Sequence, residues 1–410
     1  MTDRREGLAA YAAVTAAYWA FMLTDGALRM LVLLHFHTLG FSPFQLAWLF
    51  VVYEAMGVVT NLSAGWIAAR FGLALTLRLG LALQVAALLA LAALDPAWGV
   101  LASVFYVASV QGLSGIAKDL SKMSAKSAVR LLAPDTGGTL YRWVALLTGS
   151  KNAVKGFGFA LGAALLALAG FVPALLAMAA ILSAILLAVM IALPPGLPGG
   201  VKGTRVSGIW SRDPAINTLS LARLFLFGAR DTWFVVGIPV FFYAVLSDGT
   251  VGGNRTAFFL IGGFMAAWIV FYGIVQAAAP RIVTATDAAG AASLARRWVW
   301  VLTMVIAALA ALAILSPPGL PALVAVGLLL FGGVFALNSA LHSYLILALG
   351  RTERVTMDVG FYYMANAAGR LIGTILSGLS YQLGGLPLCL AAAAAMAAAS
   401  ALAMTRLRPA

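Results

Sequence analysis

The sequence predicts an all-α integral membrane protein with twelve membrane-spanning helices in two pseudo-symmetric bundles of six. Three observations support this: the composition, the spacing of apolar stretches and the placement of charge. Apolar residues make up 63% of the 410 positions, charged residues make up 10%, and the mean hydropathy is +1.01. Soluble domains are about half apolar and about a quarter charged. A chain this apolar therefore requires the bilayer as its solvent.

Apolar stretches long enough to cross a bilayer, which requires about 20 residues, recur twelve times between polar or Pro/Gly breaks. They cover residues 9–36, 43–69, 73–94, 97–120, 138–168, 171–193, 214–246, 256–279, 298–315, 321–349, 356–383 and 387–404. A segment rich in proline, glycine and basic residues divides the chain almost equally. We therefore expect a six-helix bundle in residues 1–193, a cytoplasmic loop in 194–213 and a second six-helix bundle in 214–410.

Basic residues are concentrated in alternate loops. If the N-terminus lies in the cytoplasm, both termini and every cytoplasmic loop are basic, whereas Arg255 is nearly alone on the opposite side. The cytoplasmic set is Arg4, Arg5, Arg70, Arg78, Lys122, Lys126, Arg130, Arg142, Lys202, Arg205, Arg212, Arg281, Arg296, Arg297, Arg351, Arg354, Arg406 and Arg408. The positive-inside rule then predicts that both termini are cytoplasmic. It also explains most of the net charge of +13, so we expect no nucleic-acid partner.

Seven cations are predicted to lie at membrane depth: Arg29, Lys118, Lys151, Lys155, Arg223, Arg230 and Arg370. The acids Asp25, Glu54 and Asp231 lie in the first, second and seventh spans. Charge in a bilayer is costly unless it is paired or hydrated, so these residues predict a functional interior. The sixth, ninth and twelfth spans carry no internal charge, and the third carries only Gln84. We therefore expect every third span to face lipid and the others to line a polar cavity.

Two interpretations of the acid–arginine pairs remain open. Asp25 and Arg29 are four residues apart and could neutralise each other on one helix face. Arg230 and Asp231 are adjacent, point about 100° apart and should pair less easily. These residues are either structural ion pairs that hold the bundles together, or arginines that bind substrate beside acids that carry protons or act as counter-charges. Glu54 belongs to the same group of candidate acids.

Lys151 and Lys155 share a helix face near mid-span with no acid on their own helix, so an incoming anion, or acids from neighbouring helices, must compensate them. Arg370 is similar and shares a face with Tyr363 and Asn366. Guanidinium suits bidentate recognition of oxyanions, whereas lysine acts as a point charge. The predicted substrate-binding residues are Arg29, Lys118, Lys151, Lys155, Arg230, Tyr363, Asn366 and Arg370.

Two patterns with four-residue spacing favour structural interpretations. A basic stripe of Lys118, Lys122, Lys126 and Arg130 is typical of a lipid-headgroup anchor, and Lys118 alone is deep enough for another role. The stripe could also concentrate an acidic substrate at the inner mouth. Glycine pairs at 158 and 162 and at 369 and 373 predict close helix packing.

The sequence offers little for catalysis. The single cysteine, Cys389, lies in an apolar run and predicts an inert packed thiol, and the three histidines are scattered. An intramembrane enzyme acting on phosphate esters would need a nucleophile or a metal with a base, and no carboxylate pair shares a predicted span. We therefore expect no metal, no cofactor and no enzymatic activity.

The distribution of charged and plain spans resembles the major facilitator superfamily, in which each three-helix repeat contributes two cavity helices and one peripheral helix. The junction of the second and third spans resembles the signature loop of that superfamily. Gly65, Arg70 and Gly72 hold its spacing, but Ala69 stands where an aspartate is usual. Leu73 and the following alanine replace a basic pair, so the gating latch that this loop usually forms lacks its charges.

Within that superfamily the chain resembles the ArsJ organoarsenical efflux permeases, over nearly its whole length. The resemblance is densest in residues 24–31, 53–54, 60–62, 113–120, 122–126, 149–153 and 222–231. It implies a proton-coupled antiporter in the bacterial inner membrane that confers arsenic resistance by alternating access, and we expect it to act as a monomer.

The resemblance also implies the substrate, 1-arseno-3-phosphoglycerate, which glyceraldehyde-3-phosphate dehydrogenase makes when arsenate replaces phosphate. This molecule is anionic at both ends, so cations from both halves of the chain suit it. Its arsenic is pentavalent and bound to oxygen, so thiolate ligands are not required. Another organic anion, such as a sugar phosphate or a phosphoglycerate, remains the alternative substrate.

Overall fold

The structure is a computed structural model that describes residues 2–132, 139–192, 211, 213–283, 287–349 and 355–407. Within these ranges the regular structure is entirely helical. The helices are α1 (Thr2–Thr38), α2 (Pro43–Ala92), α3 (Val100–Leu132), α4 (Thr139–Ala169), α5 (Phe171–Ala192), α6 (Pro214–Phe234), α7 (Gly237–Leu246), α8 (Val251–Ile282), α9 (Ala288–Leu315), α10 (Leu320–Leu349) and α11 (Val355–Thr405). Of the predicted central loop, 194–213, only Ser211 and Asp213 are among the described residues.

Two of these helices each supply two membrane spans because glycines break them. In α2 the break is Gly72, whose φ of 73° is left-handed. The 51 residues of α11 would extend about 77 Å if straight, more than twice the ~30 Å hydrocarbon core. Gly384 and Gly385 interrupt it, the latter with a φ of 61° that favours glycine. We call the limbs α2a (43–71), α2b (73–92), α11a (355–383) and α11b (386–405). Eleven apolar segments among the described residues are long enough to cross a membrane; α6 and α7 form one of them, Pro214–Leu246, and the two limbs of α11 form another. Counting the two limbs of α11 separately gives twelve spans.

The helix contacts repeat between the two halves of the chain. Helix α1 packs against α4, the first span against the fifth, and α6 packs against α11, the seventh against the eleventh. Contacts between the halves repeat in the same way: α2 packs against α11, and α4 packs against α8. The first contact joins the second and eleventh spans, and the other joins the fifth and eighth. Adding six to each span number, with counting continued from the twelfth span to the first, converts one contact into the other. The packing therefore has the internal two-fold relationship that the sequence predicts.

Glycines allow the closest of these contacts, which confirms the predicted role of both glycine pairs. A Cβ atom on Gly158 of α4 would lie 2.4 Å from the backbone oxygen of Leu23 on α1. In the second half, a Cβ atom on Gly373 would lie 2.6 Å from the backbone oxygen of Gly228. Both distances are far below van der Waals contact, so only glycine permits this spacing. The same close approach brings charged side chains of neighbouring helices within bonding distance.

The two least buried spans among the described residues, α5 and α9, are among the four that the sequence predicts to face lipid. Helix α5 packs against α2, and α9 packs against α11, at the periphery of each half. In α5 and in α9, 33% of the most apolar stretch of the helix is buried in the protein. The corresponding share in α1 is 78%. Their remaining apolar side chains face outward, as lipid-facing spans require.

The halves meet on the side of the molecule opposite the N-terminus. There the backbone N–H of Phe44, at the start of α2a, donates to Gln382 Oε1 at the end of α11a over 3.1 Å. The rings of His37 and Tyr243, at the ends of α1 and α7, lie 4.7 Å apart. These two contacts join the halves on the far side.

Candidate functional site

A central cavity of about 250 Å³ lies between the two halves. Its lining comes from α1, α2a, α3, α4, α6, α8, α10 and α11a, and among described residues α2b, α5, α9 and α11b contribute nothing to it. This confirms the predicted division into cavity spans and peripheral spans. The charged lining residues are Arg29, Glu54, Lys118, Asp119, Lys122, Lys151, Lys155, Arg223, Arg230 and Arg370. All seven cations predicted at membrane depth are among them.

Glu54 lies at the centre of the ion-pair network. Its Oε1 accepts from Nη2 of Arg29 and from Nη2 of Arg370, each over 2.6 Å. The carboxylate is almost fully buried, and it connects α1 and α2a in the first half to α11a in the second. Because removing one partner of a buried ion pair leaves an uncompensated charge, this contact strongly favours the observed arrangement of the halves.

Two further ion pairs repeat between the halves. Lys155 Nζ lies 2.7 Å from Asp25 Oδ2, which joins the fifth span to the first. Arg370 Nε lies 3.2 Å from Asp231 Oδ2, which joins the eleventh span to the seventh. The possibility that Asp25 and Arg29 neutralise each other on one helix is therefore wrong. Close helix packing supplies each of them with a partner from another helix.

The expectation that Arg230 and Asp231 pair poorly is also wrong. Arg230 Nη2 lies 2.5 Å from Asp231 Oδ1, and Nε donates to the same oxygen over 2.6 Å. The arginine side chain is long enough to turn back around the helix, so the 100° offset between neighbours does not prevent the contact. Asp231 thus accepts from two arginines, the second being Arg370.

The basic stripe on α3 does not behave as a headgroup anchor at its second position. Lys122 enters the cavity, where Nζ lies 2.5 Å from Asp119 Oδ1 and donates to Asn61 Oδ1 over 2.7 Å. The other oxygen of Asp119 accepts from the hydroxyl of Thr60. The side chains of Lys126 and Arg130 lie outside the described residues. The sequence pattern did not identify Asp119 or Lys122 as cavity residues, although their spacing of three residues already allows an ion pair.

Two buried cavity cations have no carboxylate partner among the described residues. Lys118 is 8% exposed, and its Nζ lies 4.1 Å from the centre of the Tyr53 ring. Arg223 is 5% exposed; its Nε donates to Asn366 Oδ1 over 3.1 Å and its Nη1 to the backbone oxygen of Ser339 over 3.2 Å. All partners of Arg223 are neutral. The sequence placed Arg223 at membrane depth but did not assign it to the site.

The remaining predicted residues also face the cavity. Tyr363, Asn366 and Arg370 all line it, which confirms that they share one face of α11a. Lys151 lines it from α4, while Asp25 and Asp231 contact it through the cations that they bind. The cavity therefore brings together eight basic side chains and only four carboxylates, those of Asp25, Glu54, Asp119 and Asp231. The formal charge of the cavity is strongly positive.

His342 and Cys389 are not among the residues that line the cavity. His342 is fully buried on α10, and neither ring nitrogen has a hydrogen-bond partner within the described part of the chain. Cys389 is buried, and its thiol donates to the backbone oxygen of Thr232 over 3.1 Å. In the described ranges no three His, Cys, Asp or Glu side chains cluster closely enough to hold a metal ion.

Comparison with known proteins shows the fold of this chain. No protein-family profile matches it, and no curated protein matches it in sequence. Among solved structures it is similar to the crystal structure of the nucleoside transporter NupG, in a point-mutant form. The TM-score is 0.72 at 14% sequence identity, over 98% of this chain and 99% of that one. The protein is therefore a multi-pass membrane protein with a major facilitator fold, as the sequence predicts.

Proposed function

We propose that this protein exports a small organic anion from the bacterial cytoplasm by alternating access, and that its substrate is 1-arseno-3-phosphoglycerate. The observation that carries the proposal is the charge of the cavity, where eight basic side chains outnumber four carboxylates. Uncompensated cations at membrane depth are costly, and an anionic substrate would offset that cost. A neutral nucleoside would leave the excess charge uncompensated.

The substrate follows from size and chemistry together with the sequence resemblance. The cavity of about 250 Å³ is smaller than the pockets of roughly 300–1,000 Å³ that take drug-sized ligands. Guanidinium and ammonium groups bind phosphate and arsenate alike. An ester with phosphate at one end and arsenate at the other is small and anionic at both ends. The segments that resemble ArsJ most closely lie on helices that line the cavity. The proposed role is transport, without catalysis or a cofactor.

The contacts between the halves on the far side support export as the direction of transport. The positive-inside pattern assigns the N-terminal side to the cytoplasm, and the halves touch on the opposite side through Phe44 and Gln382. The cavity then faces the cytoplasm, which is where glyceraldehyde-3-phosphate dehydrogenase would supply the substrate. An exporter loads its substrate in this state.

We further propose that Asp25, Glu54 and Asp231 serve as counter-charges or proton carriers. Each forms an ion pair with a cavity cation. An anion in the cavity brings negative charge close to Arg29 and Arg370 and weakens their attraction to Glu54. A carboxylate released in this way could accept a proton, which would couple export to the proton gradient.

Transport assays in everted membrane vesicles test the proposal. Vesicles that contain the protein should accumulate arsenic when the dehydrogenase, its substrate, NAD and arsenate are supplied outside, since the unstable ester must form in place. Accumulation no greater than in vesicles without the protein would contradict it. Omitting the dehydrogenase should abolish the signal, which separates the ester from free arsenate. Proton coupling requires that a protonophore reduce the accumulation.

A phosphoglycerate or sugar phosphate is the second candidate substrate, because the cavity cations do not distinguish arsenate from phosphate by charge. Excess unlabelled 3-phosphoglycerate in the same assay separates the two. Weak competition favours the arseno-ester, whereas uptake of labelled 3-phosphoglycerate itself would favour the alternative.

A further inference from the structure

We infer that Lys118 and Arg223 receive the two charged ends of the transported anion, so that the cavity selects molecules charged at both ends. This inference rests on the proposed function, because it assumes that the cavity binds an anion. It goes further because it assigns the site to two residues, and one of them, Arg223, is not among the substrate-binding residues that the sequence predicts.

Five of the eight cavity cations are already paired with carboxylates. A carboxylate oxygen lies within 2.7 Å of a side-chain nitrogen of each of them: Arg29, Lys122, Lys155, Arg230 and Arg370. An anion that bound any of them would have to displace an existing partner and leave a buried carboxylate unpaired. Lys118 and Arg223 require no such displacement, because no described carboxylate lies within ion-pair distance of either.

Lys118 is held in a geometry that leaves its ammonium available. The ammonium lies 4.1 Å from the centre of the Tyr53 ring, and the Tyr53 hydroxyl is fixed by donating to Asp25 Oδ1 over 2.6 Å. Contact with an aromatic ring stabilises a cation without neutralising its charge. None of the three ammonium donors forms a hydrogen bond within the described part of the chain, so they can serve a tetrahedral oxyanion.

Arg223 is oriented but not neutralised. Its Nε and Nη1 donate to Asn366 and Ser339, both neutral, and its guanidinium lies 4.1 Å from the centre of the Phe227 ring and 5.0 Å from that of Tyr362. These contacts fix the plane of the group. The Nη2 group has no hydrogen-bond partner among the described residues and remains as a donor. A guanidinium held in this way is prepared to bind an oxyanion.

The two cations lie in different halves of the chain. Lys118 is on α3 in the first half, and Arg223 is on α6 in the second, and both line the same cavity. The ion pairs of Asp25 and Asp231 repeat between the halves, whereas Lys118 and Arg223 do not occupy repeated positions: one is in the fourth span and the other in the seventh. We assign the repeated pairs to the architecture and the unrepeated cations to the substrate. A substrate that contacts both cations would bridge the halves.

Two stable probes separate this arrangement from general attraction to anions. 3-Phosphoglycerate carries charge at both ends, and glycerol 3-phosphate carries it at one. The purified protein should bind 3-phosphoglycerate more tightly by about tenfold, the difference expected for one additional charge-assisted hydrogen bond. Calorimetry in detergent or nanodiscs measures both dissociation constants.

Removing the cation that holds the carboxylate of 3-phosphoglycerate should bring the two dissociation constants close together, whereas removing the cation that holds the phosphate should weaken binding of both probes by a similar factor. Lys118→Gln and Arg223→Gln should therefore each give one of these two results. Arg223→Lys keeps the charge and should retain part of the affinity that Arg223→Gln loses, which guards against a folding defect in Arg223→Gln. Arg255→Gln, at an exposed position on the far side, is the matched control and should leave the preference unchanged.

The outcomes distinguish the inference from the proposed function. If the unsubstituted protein prefers 3-phosphoglycerate and both cavity variants keep that preference, the assignment to Lys118 and Arg223 is wrong while the anion cavity stands. If the unsubstituted protein binds both probes equally, the two-ended site is wrong. If it binds neither probe and also fails to accumulate the arseno-ester in vesicles, both the inference and the proposed function fail.

Discussion

Glu54 and Arg370 are 316 positions apart in sequence, yet Arg370 Nη2 donates to Glu54 Oε1 over 2.6 Å and so joins the two halves of the protein. The same carboxylate oxygen accepts from Arg29, which lies in the first half. A rearrangement of the halves during transport has to exchange or stretch the contact with Arg370, whereas the contact with Arg29 can persist. Glu54 is therefore placed to respond to any anion that binds Arg370.

Replacing Glu54 with glutamine should destabilise this arrangement, because two buried arginines then lose their shared counter-charge. Breaking a buried ion pair by removing one partner costs about 3–5 kcal/mol. We expect a lower unfolding temperature of the purified protein and a loss of transport in everted vesicles. Glu54→Asp keeps the charge on a shorter side chain, so its unfolding temperature and transport should lie between those of the unsubstituted protein and those of Glu54→Gln. An unchanged unfolding temperature in Glu54→Gln would show that Glu54 does not hold the halves together.

The pair formed by Asp25 and Lys155 should tolerate reversal of its charges. Asp25→Lys alone or Lys155→Asp alone places two like charges in contact at membrane depth, and each should reduce the yield of folded protein strongly. Combining the two substitutions restores an ion pair and should restore the yield, as measured by size-exclusion chromatography. A double variant that remains unfolded would mean that the orientation of this pair matters beyond its charge. A double variant that folds but does not transport would implicate Lys155 in substrate binding.

A methyl group at Gly373 should not fit. Its Cβ atom would lie 2.6 Å from the backbone oxygen of Gly228, so α6 and α11a would have to move apart. Overpacking of this kind costs about 1–3 kcal/mol, and we expect Gly373→Ala to lower the unfolding temperature accordingly. Gly263→Ala on α8 is the matched control, because a Cβ atom there meets nothing within 4 Å. Equal behaviour of the two variants would contradict the close helix contact.

Single cysteines should report the orientation of the protein and the side on which the cavity opens. In a Cys389→Ala background, a membrane-impermeant thiol reagent should label Gln276→Cys, in the cavity, from the cytoplasmic face only. Leu39→Cys, at an exposed position on the far side, should be labelled only from the opposite face. Everted and right-side-out vesicles provide the two faces. The reverse pattern would overturn both the proposed orientation and the export direction.

The sequence by itself determined the properties that depend on local composition. Membrane class, the positions of the spans and the plain third, sixth, ninth and twelfth spans follow from hydropathy, since the bilayer acts on each segment separately. The seven cations at membrane depth were found in the same way, because the cost of burying charge does not depend on knowing the partner. The interruptions at Gly72 and at Gly384–Gly385 also coincide with breaks in the apolar pattern.

Only the tertiary structure decided which charges meet. Asp25 binds Lys155, 130 positions away, and not Arg29 four residues along its own helix. The choice depends on how far glycine contacts let α1 and α4 approach and on the rotation of each helix, which no local pattern encodes. For the same reason Lys122 enters the cavity although its neighbours suggest a surface stripe. Arg223, surrounded by neutral acceptors and aromatic rings, could be recognised as a binding residue only after the carboxylates had been matched to Arg29, Lys122, Lys155, Arg230 and Arg370.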